Sequence, residues 1–69
     1  LDALQAALEA LVAVAPDAAR MVDLRFFAGL SVEAAADVMA ISPRSAARLW
    51  AFARAWLFDR LTATRNGSM

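Results

Sequence analysis

The chain has 69 residues, a formal net charge of zero, and neither cysteine nor histidine. This length is enough for one domain with a single small core of four helices. Without cysteine there are no disulfides or thiolate metal sites, and without histidine the commonest general base and metal ligand is missing. The carboxylates are scattered, with no pair set in an apolar pocket pattern. We therefore predict a protein that is not an enzyme and that has no catalytic residue, metal or cofactor.

Hydropathy argues against a membrane location. No apolar run approaches the ~20 residues of a membrane span, and the first residues lack the basic start and apolar stretch of a signal peptide. We expect a cytoplasmic protein with no membrane partner. Because the sequence begins directly in a helical pattern, we also expect it to be one domain of a longer chain.

Charge is distributed unevenly along the chain. Residues 1–41 carry two arginines against six carboxylates, whereas residues 42–69 carry five arginines against one, so the net charges of these segments are −4 and +4. A positive end of this kind suits a polyanion. Every basic residue is an arginine, whose fork geometry fits phosphate and guanine.

The first predicted helix covers residues 2–14, which are rich in the strong helix formers Ala and Leu. Asp2 is placed to cap its start. Helical spacing predicts that one apolar stripe faces inward. Its members are Leu4, Leu8, Leu11 and Val12, with Leu1 and Ala15 at its ends.

A second helix is predicted at residues 16–28, because Pro16 forces Ala15 out of the helical region. This helix is apolar on two faces, which is typical of a helix buried between neighbours. One face holds Ala19, Val22 and Phe26, and the other holds Met21, Leu24 and Ala28. Arg20, Asp23 and Arg25 are expected at the remaining edges. We expect this helix to be central, with the first helix on one side and a two-helix unit on the other.

That two-helix unit is predicted from a pair of helix starts separated by a short break. Gly29 ends the second helix, and Ser31 caps a third whose apolar face holds Val32, Ala35, Ala36 and Met39. The pattern breaks at residues 40–42, after which Ser42 is a second N-cap and Pro43 occupies the first helical position. The spacing predicts a helix-turn-helix. Ala36 is small enough to let the last helix approach, and Ile41 is expected to plug the core beneath the turn.

The last helix is predicted from Pro43 to about Thr62, and residues 64–69 are predicted to be a flexible tail. Its inward stripe is Ala46, Trp50, Ala53, Leu57 and Leu61, flanked by Leu49 and Trp56. Its outward face is Arg44, Arg48, Ala51, Ala55 and Asp59, with Phe52 and Phe58 at the margins. The predicted fold class is thus all-α, a four-helix domain with a helix-turn-helix and a long C-terminal recognition helix.

Several short runs, in their order and spacing, resemble the fourth region of bacterial RNA polymerase sigma factors of the extracytoplasmic-function type. The runs are Leu24-Arg25-Phe26-Phe27, Gly29-Leu30-Ser31, Ala35-Ala36, Ile41-Ser42-Pro43-Arg44, Arg48, Trp50 and Ala53-Arg54-Ala55-Trp56-Leu57. With the leading helix, the likeness covers residues 1–61, and we place the domain at residues 1–63.

The resemblance implies a function in transcription initiation. In that family this domain binds the minus-35 promoter element with its last helix in the major groove, docks on the flap of the polymerase β subunit and is a common target of anti-sigma proteins. It also implies that the domain belongs to a larger sigma factor, whose separate second region recognises the minus-10 element. Related sequences often carry a Thr-Val-Lys-Arg-Asp-Trp-Arg run where this chain has residues 45–51. The charges expected at positions 47 and 51 are replaced by alanine, which predicts weaker DNA contact.

The residues predicted to bind DNA are Ser42, Arg44, Ser45, Ala47, Arg48 and Arg54. For Arg44 and Arg48 the alternative is an ordinary solvated helix face. Arg54, like Arg60, could instead pair with carboxylates of the first two helices.

Phe52, Trp56 and Phe58 are predicted to form a partner-binding surface, because a hydrophobic content of 62% exceeds what so small a domain can bury. The partner could be the polymerase flap, an anti-sigma protein or a second copy, or else loop ends and the tail cover the surface. The sequence thus leaves open a promoter-binding module and a helical protein-interaction module with reduced DNA binding. The effector domain of a response regulator, which shares the four-helix plan, is a third option.

Overall fold

The computed structural model describes the backbone of residues 2–67 and the side chains of residues 2–62. Within that range the chain is all-α, which confirms the predicted fold class. Helix α1 spans Ala3–Val14, and α2 spans Pro16–Val22 and passes directly into a π-helical segment, Asp23–Phe27. Helix α3 spans Val32–Met39 and α4 spans Pro43–Gly67. None of the described helices is long and apolar enough to cross a membrane.

The predicted polar residues define the helix starts. The Asp2 carboxylate accepts a hydrogen bond from the Gln5 N–H at 2.7 Å, and the Ser31 hydroxyl accepts one from the Ala34 N–H at 3.0 Å. Each side chain satisfies a backbone donor that has no partner within the helix. Ala15, which precedes Pro16, lies outside the helical region at φ −150° and ψ 84°, as predicted for the residue before a proline.

The predicted helix at residues 16–28 is continuous but has two geometries. In the π-helical segment the Ala28 N–H donates to the Asp23 carbonyl, five residues back, at 3.1 Å. This i→i+5 bonding winds fewer degrees per residue than an α-helix and rotates the following side chains off the 3.6-residue stripe. The prediction that Phe26 faces inward beside Val22 was wrong, since Phe26 is 65% exposed. Arg25, predicted at an exposed edge, is half-buried instead.

The core consists of two clusters, and α2 contributes to both. The first cluster joins α1, α2 and the middle of α4 through Ala7, Leu11, Ala18, Ala19, Val22, Ala53 and Leu57. The second joins α2, α3 and the start of α4 through Met21, Ala35, Ala36 and Ala46. Leu49 and Trp50 pack against both clusters. The small-residue crossing of Ala36 with α4 is as predicted, and α2 does pack against α1 and against the two-helix unit. It does not separate them, because α4 also belongs to both clusters and packs directly against α1.

The inward face of α1 differs from the prediction. Ala7 and Leu11 are buried, whereas Leu4 and Val12 are about half exposed, so their assignment to the core was wrong. Ala7, Leu11 and the alanines of α2 belong to the same buried cluster, so α1 packs through a small residue together with only part of its leucine stripe.

Helix α4 continues past its predicted end at Thr62 and stays helical to Gly67. Its inward face is as predicted, with Ala46, Ala53 and Leu57 buried. The flexibility predicted for residues 64–69 stays a prediction. Ser68 and Met69 lie outside the described residues.

Candidate nucleic-acid interface

The corner between α3 and α4 is a sharp, hydrogen-bonded turn. Ala40 adopts the left-handed conformation, with φ 58° and ψ 42°. Its N–H donates to the Asp37 carbonyl at 3.2 Å, and the Ile41 N–H donates to the Ala36 carbonyl at 3.0 Å. These two bonds form a Schellman motif, which satisfies the last carbonyls of α3 and reverses the chain. Ile41 is half-buried against the second core cluster, as predicted for a plug beneath the turn.

Helix α4 begins at Ser42 with the predicted cap. The Ser42 hydroxyl oxygen accepts a hydrogen bond from the Ser45 N–H at 3.1 Å, and the Ser42 hydroxyl donates to the Ser45 hydroxyl oxygen at 3.1 Å. The Ala46 N–H donates to the Ser42 carbonyl at 2.9 Å. Pro43, at the first helical position, has no N–H to satisfy. The Ser45 hydroxyl is exposed, with its proton free to donate to a ligand oxygen.

Four of the six residues predicted to bind DNA share the exposed side of the first two turns of α4. Arg44, Ser45, Ala47 and Arg48 are all exposed, and Ala46 between them is fully buried. Arg44 and Arg48 are one turn apart, with their Cα atoms separated by roughly 6 Å along the axis. The helix-turn-helix therefore fixes this end of α4 through Ala46 and directs both guanidinium groups away from the body of the domain.

Arg54, the sixth predicted residue, is not part of that group. It lies ten residues after Arg44, which is roughly 15 Å along the helix axis. Its guanidinium carbon is 5.8 Å from the centroid of the Trp50 ring, within the range of a cation–π contact. Arg54 is thus turned toward the flank of α4, and the structure does not bring it together with Arg44 and Arg48.

The residues predicted to bind a protein partner lie in the later turns of α4. Phe52 is 45% exposed and Phe58 is 69% exposed, on opposite margins of the outward face. Phe58 borders a shallow hollow that is also lined by Ala51, Arg54 and Ala55. Trp56 is different, because it is half-buried against the first core cluster with the Arg60 guanidinium carbon 5.3 Å from its ring centroid.

Sequence reasoning missed a second apolar surface, formed where α1, the π-helical segment and α4 meet. It is a cavity of about 220 Å³ lined only by apolar atoms. Its lining residues are Leu4, Leu8, Val22, Phe26, Phe27 and Leu57. An α-helical period places Leu4 and Phe26 in the core and assigns no contact to Phe27, so the sequence did not predict that these three residues line one cavity. The adjacent Phe26 and Phe27 were the available signal.

One comparison with known proteins gives a match. The family model of the ECF sigma factor matches residues 1–63, which is nearly the whole chain. No curated protein sequence and no solved structure matches the chain significantly.

Proposed function

The chain belongs to the ECF sigma factor family, and from this premise we propose that it binds the minus-35 element of promoter DNA through the first two turns of α4. The family acts in transcription initiation, with RNA polymerase and promoter DNA as its partners. The observation that carries the proposal is the outward exposure of Arg44 and Arg48 directly after the helix-turn-helix corner. A sigma factor meets polymerase in the cytoplasm, which is where we place this protein.

The chemistry of the α4 start fits this function. In a helix-turn-helix the N-terminal residues of the second helix contact base edges in the major groove. Arg44 and Arg48 have the fork geometry for two acceptors on guanine or for phosphate oxygens. The Ser45 hydroxyl has a proton for a phosphate or a base acceptor, and the exposed Ala47 methyl group suits the methyl group of thymine.

The isolated domain is expected to bind weakly. Alanine at positions 47 and 51 leaves only two arginines on the central outward face, with Arg54 at its flank. Between two and four phosphate contacts correspond to a slope of log K against log salt of about −2 to −4. In the full transcription complex, tethering to polymerase supplies effective concentration and raises the occupancy.

The test is a selection followed by a titration. A pool of duplexes with a randomised segment is enriched for binders at low salt, and the winning duplex and a shuffled version are then titrated with the protein. The proposal predicts that the winner binds more tightly than the shuffled duplex and recurs at the minus-35 position of promoters. Arg44→Ala and Arg48→Ala should each weaken that binding by about 1–3 kcal/mol if the arginine pairs with guanine.

Arg20→Ala is the matched control, because Arg20 is also an exposed arginine but lies on α2 and not on α4. Equal affinity for the two duplexes, or equal losses at Arg20 and Arg44, would refute the promoter-reading function.

A second candidate function, protein binding, is favoured by the exposed apolar groups in the later turns of α4. A helix that enters the groove by its N-terminal turns leaves its later turns outside, so Phe52 and Phe58 stay accessible to a partner. We propose the polymerase β flap or an anti-sigma protein as that partner, with self-association as the alternative. Trp56, which is half-buried, is a secondary contributor to this surface.

Sedimentation and flap binding separate these cases. The proposal predicts that Phe58→Ser weakens binding to the isolated β-flap domain or an anti-sigma protein without changing the affinity for DNA. A chain that remains monomeric at all concentrations and has no affinity for either protein would remove the second function. Concentration-dependent dimerisation that Phe58→Ser abolishes would instead identify a second copy as the partner.

A further inference from the structure

Arg25 connects three parts of the fold through one half-buried side chain. Its Nη1 donates a hydrogen bond to the Leu30 carbonyl at 2.8 Å, and its guanidinium carbon lies 4.9 Å from the centroid of the Trp50 ring. The Leu30 N–H in turn donates to the Leu24 carbonyl at 2.9 Å, which folds the loop back over the end of the π-helical segment. Arg25 therefore links that segment to the loop before α3 and to the middle of α4.

Trp50, together with Leu49, holds α4 between the two core clusters, since both residues pack against both clusters. The Phe26 ring meets it edge-to-face, with centroids 5.5 Å apart. Trp50 lies less than two turns after Arg44 on the same continuous helix. The seating of its ring, together with the buried Ala46, therefore sets the direction in which Arg44 and Arg48 point.

The contribution of Arg25 to stability does not explain why an arginine occupies this position. Its Nε is buried and has no hydrogen-bond partner among the described residues. A buried donor without a partner destabilises the fold, which offsets part of what the other contacts of Arg25 contribute. What an apolar side chain does not reproduce is the simultaneous contact with the Trp50 face and the Leu30 carbonyl.

We propose that Arg25 is a positioning residue for DNA binding: it fixes the orientation of α4 relative to α2 and α3 without contacting DNA. The predicted effect on DNA affinity rests on the proposed promoter-binding function. The predicted effect on the orientation of α4 does not depend on DNA. The π-helical geometry of residues 23–27 places the Arg25 side chain between the Trp50 ring and the Leu30 carbonyl.

The test compares Arg25→Met with Arg20→Met, a matched control that removes the same charge from an exposed position on α2. Three quantities are measured on each variant of the whole chain: the denaturant midpoint, the affinity for the selected duplex across a salt series, and the orientation of α4 from residual dipolar couplings without DNA.

Arg25→Met is expected to shift the denaturant midpoint only slightly, because the loss of the bond to the Leu30 carbonyl is offset by removal of the unpartnered Nε. Its affinity should fall on the order of tenfold, within the range for coupled positions that do not contact the ligand. The slope of log K against log salt should stay the same, because no phosphate contact is removed, whereas a contacting arginine would change it by about 0.9. The couplings should show a reoriented α4. Arg20→Met should change none of these quantities beyond a small loss of affinity.

Affinity and α4 orientation equal to those of Arg20→Met would overturn the inference. If Arg25→Met does not fold, Arg25→Lys is the deciding variant, because lysine keeps the positive charge and a donor nitrogen but lacks the flat guanidinium that stacks on Trp50. A Lys variant with reduced stability and full affinity would mean that Arg25 is only structural. If the wild-type chain binds no duplex, the promoter proposal fails by itself, and the dipolar couplings still test whether Arg25 orients α4.

Discussion

The corner of the helix-turn-helix gives the most quantitative test of the fold, because Ala40 occupies a backbone conformation that favours glycine. At φ 58° an L-residue with a Cβ atom is disfavoured by roughly 1–2 kcal/mol. Ala40 is exposed, so Ala40→Gly removes no buried contact. Glycine gives back about 0.5–1 kcal/mol through the greater freedom of the unfolded chain. The net prediction is that Ala40→Gly stabilises the domain by about 0.5–1 kcal/mol.

Chemical and thermal unfolding measure this change. A gain of that size corresponds to an increase in Tm of about 2–8 °C for a domain this small. Ala6→Gly is the matched control, because Ala6 is exposed and helical, as the fourth residue of α1, and glycine within a helix costs about 1 kcal/mol. Ala40→Val should destabilise by about 1 kcal/mol or more, because a β-branched residue tolerates positive φ least.

The two glycine variants should therefore shift stability in opposite directions. A loss of stability in Ala40→Gly equal to that in Ala6→Gly would refute the left-handed corner and, with it, the geometry that positions α4. DNA affinity should be unchanged in Ala40→Gly, since the turn keeps its conformation.

Two further predictions concern the core of α1 and the start of α4. Leu11→Ala should lower the free energy of unfolding by about 2–5 kcal/mol because Leu11 is fully buried, whereas Leu4→Ala should lower it by less than about 1 kcal/mol. Equal losses would mean that Leu4 belongs to the core, as the sequence pattern predicted. Ser42→Ala should destabilise by about 0.5–2 kcal/mol through loss of the bond from the Ser45 N–H, with Ser42→Gly recovering most of it. Unchanged stability in Ser42→Ala would show that this cap contributes nothing to α4.

Local chemistry made much of the fold predictable. Asp2, Ser31 and Ser42 each satisfy a backbone donor within three residues, so their effect on the helix starts does not depend on the rest of the fold. The helix end at Gly29 was predictable for a similar local reason, because Gly29 has a φ of 71°, a conformation that glycine adopts without strain. The outward face of α4 was predictable because its regular 3.6-residue spacing continues without interruption from Pro43.

The errors arose where tertiary contacts override local pattern. The π-helical segment has no proline or glycine to mark it, so an α-helical period was applied through Phe26. Arg25 was placed at an edge because of its charge, whereas the Trp50 ring that covers it comes from a distant part of the chain. Alanine reads as neutral in a hydrophobic stripe, yet Ala7 and Ala18 are buried contacts of α1 with α2. These contacts join residues that are far apart in the sequence, so a pattern read over a few neighbouring residues does not reveal them.

The candidate DNA-binding face was predicted as a set of six residues, of which the structure brings Ser42, Arg44, Ser45, Ala47 and Arg48 to one end of α4. Arg54 was included in the set for its charge and as part of a run that resembles the family, and the structure places it apart from the other five. Its cation–π contact with Trp50 follows from their spacing of four residues on one helix, and that spacing could have indicated it.

The salt dependence of DNA binding tests most directly whether Arg44 and Arg48 meet the DNA. The affinity for the selected duplex is measured between low and moderate salt for the wild-type chain and for the variant carrying both Arg44→Ala and Arg48→Ala. If both arginines neutralise phosphates, the slope of log K against log salt should become shallower by about 1.8. A double variant with the wild-type slope and affinity would contradict DNA binding through the start of α4.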